Sequence, residues 1–202
     1  TDGKSTTVYL IDQLLEAVGE ECGFLSTVAR KVDIGVEKNP YRQSTPEAPQ
    51  IHEALFEMVE NGKRFAVLEA TSHGLSEKTG RLMDVVFQAA VFTNITHEHL
   101  EFHGTFERYR SDKANLFRAL DRTKSLSEHD VDVPVFGVVN EGDPNGYYFK
   151  QATRREVFTY GCNVESADLE ATEINGDLTG SSCLLRWGKE ARPRSHGGNL
   201  QR

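Results

Sequence analysis

The chain has little cysteine. There are three in 202 residues, an odd number with no spacing pattern. That excludes a disulfide framework and points to free thiols in a reducing compartment, the cytoplasm. Long apolar runs are missing, so no segment is expected to span a membrane, and no secretory leader is visible. Internal repeats and low-complexity tracts are missing too. Positive charge is in short supply: 23 Lys and Arg face 31 Asp and Glu, a net charge of −8. A nucleic-acid groove needs the opposite balance, which disfavours helicases and nucleic-acid motors. The length suits one large domain with at most a small appendage, and a monomer is expected.

The chain opens inside a phosphate-binding loop, Thr1-Asp2-Gly3-Lys4-Ser5-Thr6-Thr7. Gly-Lys-[Ser/Thr] ends the P-loop of nucleoside-triphosphate sites. Its lysine reaches the β- and γ-phosphates, the next hydroxyl binds Mg²⁺, and backbone N–H groups at a helix N-terminus cradle the anion. Ile11, Leu14, Leu15 and Val18 fall at i, i+3, i+4 and i+7, which predicts an amphipathic helix where a P-loop helix belongs. The plainer reading is an ordinary helix start with Ser5 or Thr6 as its cap. The first glycine of the full motif is not in the sequence, so residues 1–202 are expected to be part of a longer protein.

The order of elements predicts an α/β fold. Residues 22 to 43 read as irregular, with a turn at Asn39-Pro40. Ser44-Thr45-Pro46-Glu47 offers a capping box from Ser44 to Glu47 for a second helix. Ile51, Leu55, Met58 and Val59 make its stripe, and Asn61-Gly62 closes it. Phe65–Leu68, Ala89–Phe92 and Pro134–Val139 read as buried parallel strands, with a helix from Phe106 to Leu120 before the last. Asp168 to Ile174 alternates, Asn175-Gly176 signals a turn, and Ser181 to Trp187 could return as a hairpin partner. The expected architecture is a P-loop-containing, mostly parallel sheet with helices on both faces, plus a small antiparallel subsheet near the C-terminus.

In open α/β sheets, ligands bind beyond the carboxyl ends of the strands. Here those ends are polar: Glu69 to Gly74, Thr93 to His99, and Asn140 to Pro144. Taken singly each could be a solvated loop; together with Gly3-Lys4-Ser5 they favour a site. His97, His99 and His103 make an H-x-H-x₃-H spacing that could hold zinc. No cysteine lies near it, and a nucleotide-bound Mg²⁺ with oxygen ligands and one histidine is as economical. Lys113 falls on the stripe of Phe106, Tyr109, Leu116 and Leu120. Lysines are almost never fully buried without a partner. Lys113 is therefore either a snorkelling stem or an active-site lysine whose ammonium burial disfavours.

These stretches together resemble the ATP-binding central domain of the Mur ligases, specifically the MurE-type branch that adds the third peptide residue of bacterial peptidoglycan precursors. The resemblance is carried by residues 1–7, Ser44-Thr45-Pro46-Glu47-Ala48, Glu69-Ala70-Thr71-Ser72-His73-Gly74-Leu75, residues 91–104, Asp112-Lys113-Ala114-Asn115-Leu116-Phe117 and Asn140-Glu141-Gly142-Asp143-Pro144. It runs from residue 1 to about residue 187 and fades over the last thirty or so residues. Two serines usual in the family stand here as Thr71-Ser72, and its Arg-Asp-His as His97-Glu98-His99.

The resemblance implies an ATP-dependent acid–amino-acid ligase. Thr1, Asp2, Gly3, Lys4, Ser5 and Thr6 would hold the ATP phosphates, and Asn140 and Asp143 the adenosine end. Ser5 and Glu69 would ligate one Mg²⁺. His99 would serve a second, with Lys113 as a carbamoylated lysine; Lys4, Lys113 and His99 would be the catalytic set. Ser44, Thr45, Thr71 and Arg81 would contact the UDP-N-acetylmuramoyl-peptide. The substrates would be that nucleotide-sugar dipeptide and an amino acid, joined through an acyl phosphate. Residues 1–202 would be the central domain, with a uridine-binding domain and an amino-acid-binding domain elsewhere in the family's architecture. The rival readings are another ligase of the same superfamily, such as a folylpolyglutamate synthetase, and a P-loop kinase or nucleotide-binding module.

Overall fold

A computed structural model describes residues 2–41, 43–96, 100–124, 126–128, 131–177 and 180–188. The elements run α1 (Lys4–Ala17), β1 (Cys22–Leu25), β2 (Ala29–Lys31), β3 (Glu37–Lys38), α2 (Ala48–Glu60), β4 (Phe65–Leu68), α3 (Ser72–Leu75), β5 (Ala89–Phe92), α4 (Leu100–His103), α5 (Phe106–Leu120), β6 (Leu126–Glu128), β7 (Val131–Val133), β8 (Phe136–Asn140), α6 (Gly146–Lys150), β9 (Glu156–Cys162), β10 (Leu169–Asp177) and β11 (Gly180–Trp187). They fall into two compact units, residues 1–85 with 96–116, and residues 86–95 with 117–202. The fold is mixed α/β and rich in parallel strands, as expected.

The first unit is built on a four-stranded sheet in the order β3-β2-β1-β4, with β1 parallel to β4 and antiparallel to β2. All four residues of β1 are buried, and they alternate between two helices because strand side chains point to opposite faces. Phe24 meets Tyr9 of α1 edge to face, ring centroids 5.8 Å apart. On the other face, Leu25, Val32, Ala54 and Met58 form the core under α2. Gly23 lets that helix approach: a Cβ there would lie 2.8 Å from both the Lys31 carbonyl oxygen and Met58 Cγ.

The region expected to be irregular, residues 22 to 43, thus contains three strands. Cys-Gly-Phe-Leu is too short to show a period, and its glycine reads as a break although it is a packing requirement. The face of α1 also differs from expectation. Leu14 and Val18 are exposed, while Val8 and Asp12 are buried. The buried position that apolar periodicity would fill is taken by Asp12, which accepts a 2.9 Å hydrogen bond from Lys31 Nζ on β2. Glu16, one turn on, takes the same ammonium. In β4, Phe65 is exposed and Leu68 half-buried, so this strand is less buried than expected.

The second unit holds a five-stranded sheet in the order β11-β10-β9-β8-β5. β5, β8, β9 and β10 are mutually parallel, and only β11 runs antiparallel. The antiparallel hairpin expected near the C-terminus is formed by β10 and β11, and it joins the parallel sheet through β10. Its turn is displaced. Asn175 and Gly176 lie inside β10, paired with Ser182 and Ser181, and the pairing continues to Asp177 with Gly180. A bulge between Thr172 and Asn175, with Glu173 at a φ of 50°, shifts the register there. The strand expected from Pro134 begins at Phe136, since proline has no N–H for the ladder. Phe92 stacks on Phe149 at 3.8 Å, and Phe117 closes the cluster at 5.8 Å. A Cβ at Gly137 would sit 2.9 Å from the Phe117 ring. The short β6–β7 pair and α6 were not foreseen from the sequence.

Candidate nucleotide and acceptor site

The phosphate loop turns into helix as the motif requires. Gly3 is the N-cap of α1 with a φ of 78°, a left-handed conformation that glycine adopts without strain. Its carbonyl accepts the Thr7 N–H at 2.8 Å. Lys4 begins the helix and is half-buried, and no acidic residue sits in the first turn. The positive end of the helix dipole lies here and suits an anion. Asp2, Gly3 and Thr6 are exposed at this end. Thr1 lies outside the described residues.

Glu69 ends β4 with a carboxylate aimed at that loop. It is 6 % exposed. Ser5 Oγ donates to its Oε2 at 2.6 Å, and the Thr27 N–H and hydroxyl donate to Oε2 and Oε1 at 2.8 and 2.9 Å. The expected pair of magnesium ligands is thus in direct contact. Octahedral Mg²⁺ with bonds of about 2.1 Å sets neighbouring ligands about 3 Å apart. A hydroxyl and a carboxylate already at 2.6 Å fit that ion with little movement. Thr27 was missed from the sequence because the segment around it was read as irregular.

The expected acceptor residues converge as well. Thr45 Oγ1 and Thr71 Oγ1 are 2.8 Å apart. Thr71 caps α3 by accepting the Gly74 N–H, and its own N–H donates to Thr45 Oγ1. Arg81 Nη1 donates to the Thr45 carbonyl at 3.0 Å, and its Nη2 pairs with Glu47 at 2.7 Å. Arg81 Nε is buried and has no hydrogen-bond partner among the described residues. Gly74 makes this possible, since a Cβ there would lie 2.5 Å from Thr45 Cγ2. Ser44 is adjacent and half-buried.

The capping box expected from Ser44 to Glu47 is not formed. Instead Glu47 is the N-cap, its N–H donating to the Gln50 side chain at 3.0 Å. The helix starts three residues later because Thr45 is buried, with its hydroxyl committed to Glu69 and Thr71.

His99, together with His97 and Glu98, lies outside the described residues. His103 has both ring nitrogens occupied: Nδ1 by Asp112 at 2.7 Å and Nε2 by Ser72 at 3.0 Å. It has no nitrogen left for a metal, so the three-histidine zinc spacing loses its third member. Among the described residues no cluster of three metal-ligating His, Cys, Asp or Glu side chains occurs. Lys113 is half-buried on α5, where full burial was the sharper expectation. Its ammonium lies 5.2 Å from the centroid of the Tyr109 ring, a contact that favours a cation. The buried positions of α5 are Tyr109, Asp112, Ala114, Phe117, Ala119 and Leu120. The core stripe is thus rotated slightly from Phe106, Lys113 and Leu116.

In the second unit, Asn140 and Asp143 tie two strand ends together. Asn140 Nδ2 donates to the Thr93 carbonyl at 2.8 Å, and its Oδ1 accepts the Gly142 N–H. Asp143 accepts the Ile95 N–H through Oδ2 and the Asn145 N–H through Oδ1. Both side chains shape the loops after β5 and β8.

Comparison with known proteins agrees with this geometry. The family model described as the Mur ligase middle domain matches residues 1–193. A UDP-N-acetylmuramyl-tripeptide synthetase of Treponema denticola is 49 % identical over 173 residues, 86 % of this chain and 31 % of that protein. A UDP-N-acetylmuramoyl-L-alanyl-D-glutamate–2,6-diaminopimelate ligase of Geobacillus thermodenitrificans is 36 % identical over 174 residues, covering 86 % of this chain and 34 % of that protein. A solved structure of a ligase with the same name superposes with a TM-score of 0.74 at 28 % identity, covering 92 % of this chain and 35 % of that one. The chain spans about a third of the length of the curated relatives it matches. With the phosphate loop, the strand-end glutamate and the paired threonines all in place, the chain belongs to the Mur ligase middle-domain family.

Proposed function

We propose that this chain is the ATP-binding middle domain of a ligase that adds an amino acid to UDP-N-acetylmuramoyl-dipeptide, forming an amide through an acyl phosphate. The observation that carries the reading is the 2.6 Å contact between Ser5 and Glu69 at the start of a P-loop helix. In the same unit, the Thr45–Thr71–Arg81 cluster is bound to the backbone of that glutamate. A nucleotide switch needs only the first of these; an acyl-activating ligase needs both.

The roles follow from the chemistry of the side chains. Lys4 and the first N–H groups of α1 hold the phosphates. Ser5 and Glu69 would hold Mg²⁺, which would supply positive charge to neutralise the phosphates. Thr27 fixes the Glu69 carboxylate in the orientation that faces Ser5. Thr45, Thr71 and Arg81 orient the anionic nucleotide-sugar dipeptide so that its carboxylate meets the γ-phosphoryl group. Phosphoryl transfer gains chiefly from positioning and charge neutralisation, which is what these groups provide. His99 and a carbamoylated Lys113 would serve the acceptor-side metal. No helix among the described residues is long and apolar enough to cross a membrane.

The test is a ligase assay on the full-length protein with ATP, Mg²⁺, UDP-N-acetylmuramoyl-dipeptide and a panel of amino acids. ADP release that requires both the muropeptide and one amino acid, with a product heavier by that residue, supports the reading. ADP release that ignores the muropeptide overturns it in favour of a kinase or nucleotide module.

A further inference from the structure

Resting on that ligase reading, we infer that His103 is a positioning residue. It pins the acceptor-binding strand end to the helix that carries Lys113. The imidazole is fully buried and held at both nitrogens: Asp112 Oδ2 lies 2.7 Å from Nδ1, and Ser72 Oγ lies 3.0 Å from Nε2. Ser72 is 3 % exposed and Asp112 7 %. A carboxylate can only accept, so Nδ1 carries a proton, and in the neutral ring Nε2 then takes the Ser72 hydroxyl hydrogen. In that neutral form the bridge has a single sense, and both of its donors are satisfied.

What the bridge joins gives it a role. Ser72 follows Thr71, which is locked to Thr45 in the acceptor cluster. Asp112 precedes Lys113. A packed path runs parallel to the hydrogen bonds, with the His103 and Tyr109 rings 5.1 Å apart and the Lys113 ammonium 5.2 Å from the Tyr109 centroid. Through His103, α5 is tied to the start of α3 by two hydrogen bonds, and on the ligase reading this sets the placement of Lys113 toward the acceptor.

The trio has the composition of a Ser-His-Asp catalytic triad, but it cannot work as one. Ser72 is sealed from solvent and so has no route to an ester or amide. Its function is mechanical. Asn115 Nδ2 adds a second tie, to the Leu75 carbonyl at 2.9 Å. α5 therefore keeps a hold on α3 when the histidine bridge is cut; what loosens is the placement of Lys113.

The experiment uses full-length protein and steady-state amide synthesis. A misplacement of about 1 Å can reduce a rate about 100-fold. Ser72→Ala and Asp112→Leu should therefore lower kcat by about 30- to 100-fold while the KM for ATP moves less than about threefold. Asp112→Asn keeps an oxygen that accepts the Nδ1 proton, and should recover kcat to within about fivefold of wild type. Ser72→Ala, the smallest change, decides the matter if Asp112→Leu does not fold. A folded Ser72→Ala enzyme with wild-type kcat, or an Asn variant as impaired as the Leu variant, overturns the inference. ¹⁵N NMR of the histidines separates its failure from that of the ligase reading. A protonated Nδ1 that vanishes in Asp112→Leu, in a protein that makes no amide, indicts the reading; activity without that signal indicts the bridge.

Discussion

Ser5 and Glu69 are 64 residues apart in sequence and 2.6 Å apart in space. One sits on the first turn of the phosphate-loop helix and the other at the carboxyl end of β4. Their contact brings the two motifs together where the proposed Mg-ATP site needs them.

In the proposed function, Lys4 is the cation that meets the ATP phosphates. Lys4→Ala in the full-length protein should weaken Mg-ATP binding by about 100-fold, a loss of about 2.7 kcal/mol. Glu69→Gln should act differently. It leaves nucleotide binding without Mg²⁺ nearly intact and removes most of the gain in affinity that Mg²⁺ confers. Titration with a fluorescent ATP analogue, with and without Mg²⁺, checks both. Equal affinities for wild type and Lys4→Ala would sink the phosphate assignment.

Much of this site is legible in the sequence because it is local. The P-loop, the polar strand ends and the bounds of α5 can each be read from a few adjacent residues, and α5 runs from Phe106 to Leu120 as expected. What could not be read depends on residues far apart. Asp12 takes a core position on α1 because Lys31 arrives from β2. The cap of α2 moves from Ser44 to Glu47 because Thr45 is claimed by Glu69 and Thr71. Gly23 looks like a strand breaker until Met58 is packed against it. Thr27 becomes visible as a site residue only when Glu69 is brought alongside, and His103, legible in the sequence as a zinc candidate, shows its bridging place only with Asp112 and Ser72 beside it.

The buried pair of Lys31 and Asp12 should matter for stability. Both side chains are 3 % exposed, and removing one partner from such a pair strands a charge at about 3–5 kcal/mol. Lys31→Met should lower the urea midpoint accordingly, and adding Asp12→Leu should recover much of the loss. Burial alone would lower the Lys31 pKa, but the Glu16 and Asp12 carboxylates outweigh it and hold the ammonium above the ordinary lysine range. A raised lysine contributes fully below its unfolded value of about 10.4 and loses that contribution as pH rises further. Wild type should therefore lose its advantage over Lys31→Met only above about pH 10.5. An advantage that disappears near neutral pH would contradict the pairing.

Cys22 should be the silent thiol of the three. It is completely buried, and burial, reinforced by the nearby Asp12 carboxylate, pushes its pKa up to about 12. Cys162 is exposed and Cys183 half-buried. A thiol reagent at pH 8 should modify those two in the native protein and reach Cys22 only on unfolding. The same shift makes the folded state hold a proton that the unfolded chain releases above about pH 8.5, so the thiol lowers stability progressively from there. Cys22→Ala should flatten that alkaline decline. Rapid labelling of all three thiols without denaturant would show that β1 opens easily.

Lys113 gives the sharpest test of the mechanism. Its ammonium rests near the Tyr109 ring, an arrangement that suits a cation in the ligand-free protein. Carbamoylation needs a neutral amine and yields an anion, so the modification requires something to reward negative charge at that position. Bound Mg²⁺ and nucleotide would do so. ¹³C-bicarbonate should therefore give a carbamate resonance in wild-type full-length protein when Mg²⁺ and ATP or its analogue are present, and little or none without them. The signal should be absent in Lys113→Ala. That variant should lose about 100-fold or more in amide synthesis, since a bridging anion contributes electrostatic stabilisation worth several kcal/mol. Acetate, a small carboxylate that can enter the space left by the lysine, should restore part of the rate in Lys113→Ala and none in Lys4→Ala. Near-normal activity of Lys113→Ala in bicarbonate-depleted buffer would leave Lys113 a solvent-reaching stem on α5 and remove it from the mechanism.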